Sequence, residues 1–164
     1  MGAQAEAAGR ARALAELLGR WRPRAVLLVG EDPEGAVAAW AAGERPPPEV
    51  VRRAPAAALA DPARPGGRWD LAVLGPDVAG TLARAEAGRL VAALRDVHAR
   101  RLVLALPEPV PAGWEVPACV ALGLTPVGEG GRLWRFDLHD YKETPDWLNP
   151  RFWAHPELWD RFRW

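Results

Sequence analysis

Serine and isoleucine are absent from the 164 residues, and cysteine, lysine, tyrosine and asparagine occur once each. Each shortage excludes something. Without serine the chain has no serine nucleophile. The single Cys119 cannot close an internal disulfide, which fits a reducing compartment and gives the expectation of a cytoplasmic protein. It sits between Ala118 and Val120 in an apolar stretch, the setting of a small buried hydrophobe rather than a nucleophile. Net charge is also missing: 21 basic residues face 21 acidic ones. No long-range field therefore favours nucleic acid or an anionic membrane. No apolar run approaches the roughly 18–20 residues that span a bilayer. The N-terminus MGAQAEAAGRARALAELLGRW carries acids and reads as an amphipathic helix rather than a signal peptide.

What is present is a soluble composition, 49% hydrophobic and 26% charged, on a length that suits one domain. Arginine outnumbers lysine twenty to one, the drift expected of a GC-rich bacterial genome. Against that drift the last stretch, Asp137 to Trp164, stands out. It holds Lys142, Tyr141 and Asn149, each the sole residue of its type, and four of the nine tryptophans. This divides the chain into residues 1–138, an α/β body, and residues 139–164, an aromatic C-terminal tail packed on it.

Along the body, Ala3 to Gly19 reads as a helix with Leu14, Leu17, Leu18 and Trp21 on one side and Gly19 as its stop. Ala25–Val29 is a continuous apolar run, as a buried parallel strand requires. Gly30–Gly35 is a tight turn whose Pro33 suits the start of a helix to about Ala42. Val50–Arg53 is a short strand, and Ala54–Gly67 a loop with one helical turn. Trp69–Leu74 is the next strand. Thr81–Arg100 is a long helix with Leu90, Val91, Leu94 and Val97 toward the sheet and Arg84, Arg89, Arg95 and Asp96 toward water. Leu102–Leu106 is a buried strand. Pro117–Leu122 is a short helix with Gly123 just past its end. Leu124–Val127 and Leu133–Leu138 flank GEGG as an antiparallel hairpin at one sheet edge.

Alternating strands and helices imply a mostly parallel sheet in a single-domain, Rossmann-like α/β fold. With VLLVG as first strand and turn, and DLAVLGPD at a later strand and loop, the order of elements resembles class I S-adenosylmethionine-dependent methyltransferases. Their sheet also ends in an antiparallel pair. The resemblance covers Arg24 to Leu138. The tail separately looks like that of a small uncharacterised proteobacterial protein family.

The cofactor turn departs from the methyltransferase pattern. Of the three glycines that the resemblance implies, only Gly30 is kept; Asp32 and Glu34 fill the other two positions. Glycine there lets backbone approach the cofactor. The acid that the family places after its second strand is replaced by Arg52 and Arg53. The expectation is therefore no cofactor and a non-catalytic binding or interaction protein. The alternative is a methyltransferase that binds S-adenosylmethionine through an atypical site. Gly30, Glu31, Asp32 and Asp77 would line the crevice where such sheets bind ligands, with a cation or divalent metal as the suited charge. The plainer reading of the same acids is helix capping.

Two further groups remain. Asp137, His139, Asp140 and His155 could form a metal cluster, but their spacing matches no zinc pattern. His98, near a helix end, suits a structural role. In the tail, Thr144-Pro145-Asp146 and Pro156-Glu157 each read as a helix start, and Trp147, Trp153 and Trp159 recur among arginines. Three readings stand: a latch on the body, a recognition surface using Tyr141, Lys142, Trp147, Trp153, His155 and Trp159, and a base-stacking strip that lacks the basic excess to follow phosphates. The partner expected is an unidentified protein or small molecule, with neither nucleic acid nor membrane, and a homodimer through the tail or the hairpin edge.

Overall fold

The computed structural model describes residues 2–141. The tail positions Lys142, Trp147, Trp153, His155 and Trp159, with both helix starts, lie outside the described residues. Among the described residues the fold is mixed α/β, a six-stranded, mostly parallel sheet and seven helices. The strands are β1 (Ala25–Val29), β2 (Glu49–Arg53), β3 (Leu71–Leu74), β4 (Arg101–Ala105), β5 (Thr125–Pro126) and β6 (Leu133–Asp137). Their order across the sheet is β2-β1-β3-β4-β6-β5. The first four run parallel; β6 is antiparallel to both β4 and β5. The hairpin thus lies at the edge as expected, with β6 inside and the two-residue β5 outermost.

The continuous apolar strands are explained by helices on both faces. Alternate side chains of a strand point to opposite sides. Val26 and Leu28 of β1, Val73 of β3 and Val103 of β4 pack with Leu14, Leu17 and Leu18 of α1 (Gly2–Trp21) and Val37 of α2 (Ala36–Gly43). On the other face, Leu27, Val29, Leu74 and Leu102 meet residues of α3 (Pro55–Ala60), α4 (Val78–Thr81), α5 (Arg84–Ala93) and α6 (Val116–Ala121). A short helix, α7 (Leu138–Tyr141), follows β6. No helix among the described residues is long and apolar enough to cross a membrane.

Several expectations are corrected. Gly19 does not stop α1, which runs on to Trp21; the chain turns at Arg22, whose φ is +45°, just before Pro23. A residue preceding proline is disfavoured in helical geometry, so this is where the helix must end. The loop over residues 54–67 contains a full helix, α3, with Pro55 at its first position. Trp69 lies outside β3 and makes a lone bridge to Ala99.

The long helix is the largest revision. Leu82 and Ala83 are extended, so α4 and α5 are separate, and Glu86 folds back to accept the Ala83 N–H at 3.1 Å. Past Ala93 the helix widens into a π turn, Leu94–His98, in which the Ala99 N–H reaches Leu94 O at 2.7 Å. A π turn takes one extra residue. Leu94 stays buried, but Val97 is carried round to the surface and is 54% exposed. Arg84 does not project into water either: its guanidinium lies 4.2 Å above the ring of buried Trp114, and its Nε donates to Gly113 O. Arg95 is folded back to donate to Leu122 O at 2.5 Å.

The end of α6 follows expectation. Gly123 takes a φ of +77°, its N–H reaches Val120 O at 2.9 Å, and the Leu124 N–H reaches Cys119 O at 3.2 Å. These two bonds close the helix in a Schellman arrangement, which glycine permits without strain.

Candidate functional site

The strand order reverses between β1 and β3: β2 flanks β1 on one side, and β3 on the other is reached by crossing back. Open α/β sheets bind ligands beyond the strand ends at such a switch point. Here that place is the turn after β1 facing the turn after β3, so Gly30, Glu31, Asp32 and Asp77 are brought together.

The two turns are in contact. Gly30 has a φ of +75°, and its N–H donates to Arg53 O at 2.9 Å. Asp77 reaches across so that its Oδ1 accepts the Glu31 N–H at 2.8 Å. A Cβ on Gly30 would fall 2.7 Å from Asp77 Cγ, and one on Gly75 would fall 2.8 Å from the Glu31 nitrogen. Both glycines are therefore needed for the turns to approach each other.

The remaining acids have protein partners as well. Asp32 Oδ1 accepts the Val37 N–H and Oδ2 the Ala38 N–H, both at 2.9 Å, across the start of α2. Its side chain is only 7% exposed. Arg52, at the strand end where the methyltransferase resemblance implies an acid, approaches Asp32 Oδ2 to 3.7 Å. Glu34, itself at φ +50°, is paired with Arg10 of α1. Arg10 also donates from Nη1 to Leu106 O at 2.6 Å, just beyond β4. One arginine thus ties α1 to the turn after β1 and to the end of β4. Glu31 is exposed. The capping reading of these acids is the one their hydrogen bonds bear out for Asp32.

Beside this closed turn lies a cavity of about 430 Å³ between the first half of α1 and the turn joining β5 to β6. Gly9, Ala13, Val127 and Leu133 line it, with Arg10 and Arg132. Arg132 is clamped by Glu6 at 2.6 Å and Glu108 at 2.5 Å. The guanidinium holds the Glu108 carboxyl below its ordinary range, and Glu108 in return raises Arg132. Sequence reasoning missed Arg10 and Arg132. Their partners lie far along the chain, and no local spacing marks them.

The other candidates are separated from this site. Asp137 accepts from Arg101 Nε at 2.9 Å and from the His139 N–H at 2.9 Å, while Asp140 pairs with Arg135 at 3.0 Å. Each acid is thus held by a cation, and no group of three metal-ligating side chains occurs among the described residues. His98 accepts the Trp69 N–H at its carbonyl, 2.8 Å, inside the π turn. Cys119 is fully buried; burial pushes its thiol upward, and Sγ lies 3.4 Å from Trp114 O. A thiol held protonated away from solvent is a poor nucleophile.

The chain belongs to the Family of unknown function (DUF6231), whose sequence model matches residues 9–164. No curated protein and no solved structure matches it.

Proposed function

We propose that this member of the family is a non-catalytic relative of the class I S-adenosylmethionine-dependent methyltransferases, a single Rossmann-like domain that acts by binding and carries its aromatic tail as a cap. The sheet supports the kinship. A switch point lies between β1 and β3, and an antiparallel pair follows the last parallel strand. The observation that carries the loss of catalysis is the closed turn. Asp32 is spent on the α2 N-terminus, Glu34 on Arg10, and Asp77 on the Glu31 N–H. A nucleoside cofactor would need backbone approach where Asp32 and Glu34 stand, and a free acid where Arg52 stands. A bound partner group finds its concave surface instead in the cavity between α1 and the hairpin.

Isothermal titration with S-adenosylmethionine and S-adenosylhomocysteine tests this. The expected result is no binding tighter than about millimolar, or about −4 kcal/mol. A micromolar dissociation constant would overturn it in favour of a methyltransferase with an atypical site.

A further inference from the structure

The two edges of the sheet differ. At one, β5 is two residues long and contains Pro126, which has no N–H to offer a further strand. At the other, β2 is five residues long and pairs with β1 alone among the described strands. The Glu49 N–H donates to Arg24 O, and Arg53 O accepts the Gly30 N–H, both at 2.9 Å. Backbone groups of successive strand residues alternate in direction. Glu49, Val51 and Arg53 therefore face β1, while Val50 and Arg52 turn their N–H and C=O outward. A row of open backbone groups is a template for another strand.

The side chains beside this edge name the strand that fits. Apolar residues are half-buried on both faces, Trp40 and Val50 on the α1–α2 side and Val51 and Leu59 on the other. The two ends of β2 carry opposite charge, Glu49 first and Arg52-Arg53 last. Glu49 meets Arg64 at 2.8 Å but keeps its side chain 49% exposed. Arg53 donates to the carbonyls of Asp61 and Ala63 and pairs with no carboxylate among the described residues. A strand that is acidic at one end and basic at the other is complementary to itself in reverse.

A two-fold axis normal to the sheet sets two such strands antiparallel and keeps like faces together. Of the registers this allows, the one centred on Val51 places Glu49 opposite Arg53 of the second copy. It also lets Val50 of each copy exchange both backbone bonds with Arg52 of the other. We propose that β2 pairs in this register with β2 of a second copy of the chain, joining two sheets into one. Opposite charges select the partner and the register, and the backbone groups hold it. This places on β2 the homodimer that the sequence led one to expect at the tail or the hairpin edge. The pairing goes beyond the binding reading above and does not depend on the cofactor turn.

Sedimentation of the full-length chain should give a dimer, and cysteine substitution tests the register. Facing residues of a non-bonded antiparallel pair lie about 4.5 Å apart at Cα, within the span of a disulfide. Val51→Cys should therefore oxidise to a dimer linked through position 51. Val50→Cys, displaced along the strand from its twin, should not link. Cys119 is fully buried and does not compete. Glu49→Arg sets like charges opposite each other and should raise the dimer dissociation constant at least about tenfold. A monomer at high protein concentration would overturn the pairing. So would a dimer in which Val51→Cys fails to link, or one that Glu49→Arg leaves unchanged. Slow hydrogen exchange at the Val50 and Arg52 amides of a monomer would show the edge covered within one chain, and would sink it equally.

Discussion

Asp77 closes over Gly30. Its carboxylate accepts the Glu31 N–H at 2.8 Å and occupies the space a side chain at position 30 would need. Glycine at position 30 leaves room for an aspartate of the next turn. Gly30→Ala must strain a φ of +75° and displace Asp77. It should cost about 1–3 kcal/mol, read as a fall in the urea midpoint. In Gly30→Ala with Asp77→Ala the steric part disappears, so the double variant should be more stable than the two single losses add up to. Strict additivity would show that the carboxylate is not what the glycine accommodates.

Asp32 is a helix cap with two N–H partners at the start of α2. Asp32→Ala should destabilise by about 1–2 kcal/mol. Asp32→Asn keeps one acceptor and should lose less. If the residue served a bound cation instead, both changes would leave the melt of the unliganded protein where it was.

Acid should weaken the link between the α1 N-terminal half and the β4–β6 end of the sheet. Arg132 lowers the Glu108 carboxyl below its ordinary range. A depressed carboxylate contributes stability that is fully present above its unfolded value, about 4.3, and is lost as pH falls through the folded one. Glu108→Gln should therefore lower the melting temperature at pH 7, and the difference should shrink as pH falls below the ordinary carboxylate range. A difference that persists in acid would assign the effect to packing rather than charge.

The tail should contribute to stability. On the cap reading proposed above, removing residues 144–164 would expose apolar surface, and a buried Trp→Ala change costs about 3–5 kcal/mol. With a total stability of roughly 5–15 kcal/mol, the shortened chain should be insoluble or molten at 37 °C. Trp153→Ala alone should lower the melting temperature by several degrees. Thermal melts with equal midpoints would leave the tail as a free recognition segment.

Much of this frame was legible in the residues. Apolar runs such as Ala25–Val29 gave buried strands because a parallel strand is covered on both faces. Gly123 marked the end of α6 because a Schellman turn needs a left-handed residue. Those are local demands, and local sequence states them. The break at Leu82 and Ala83, the π turn that exposes Val97, and the arginine laid on Trp114 were not legible. The last of these is a contact between segments distant in sequence.

By itself the sequence determined the periodicities and the turns, and it set Asp32 and Glu34 where the methyltransferase resemblance implies glycine. It also narrowed the chemistry: no serine nucleophile, one shielded cysteine and no net charge. Only the tertiary structure decided what became of the three acids near the switch point. Along the chain, Asp32, Glu34 and Asp77 could be read as ligands or, more plainly, as caps. A carboxylate's role is fixed by the donor that reaches it. Arg10 and the Val37, Ala38 and Glu31 N–H groups come within range only once β1 and β3 lie side by side and α1 and α2 are packed on the sheet.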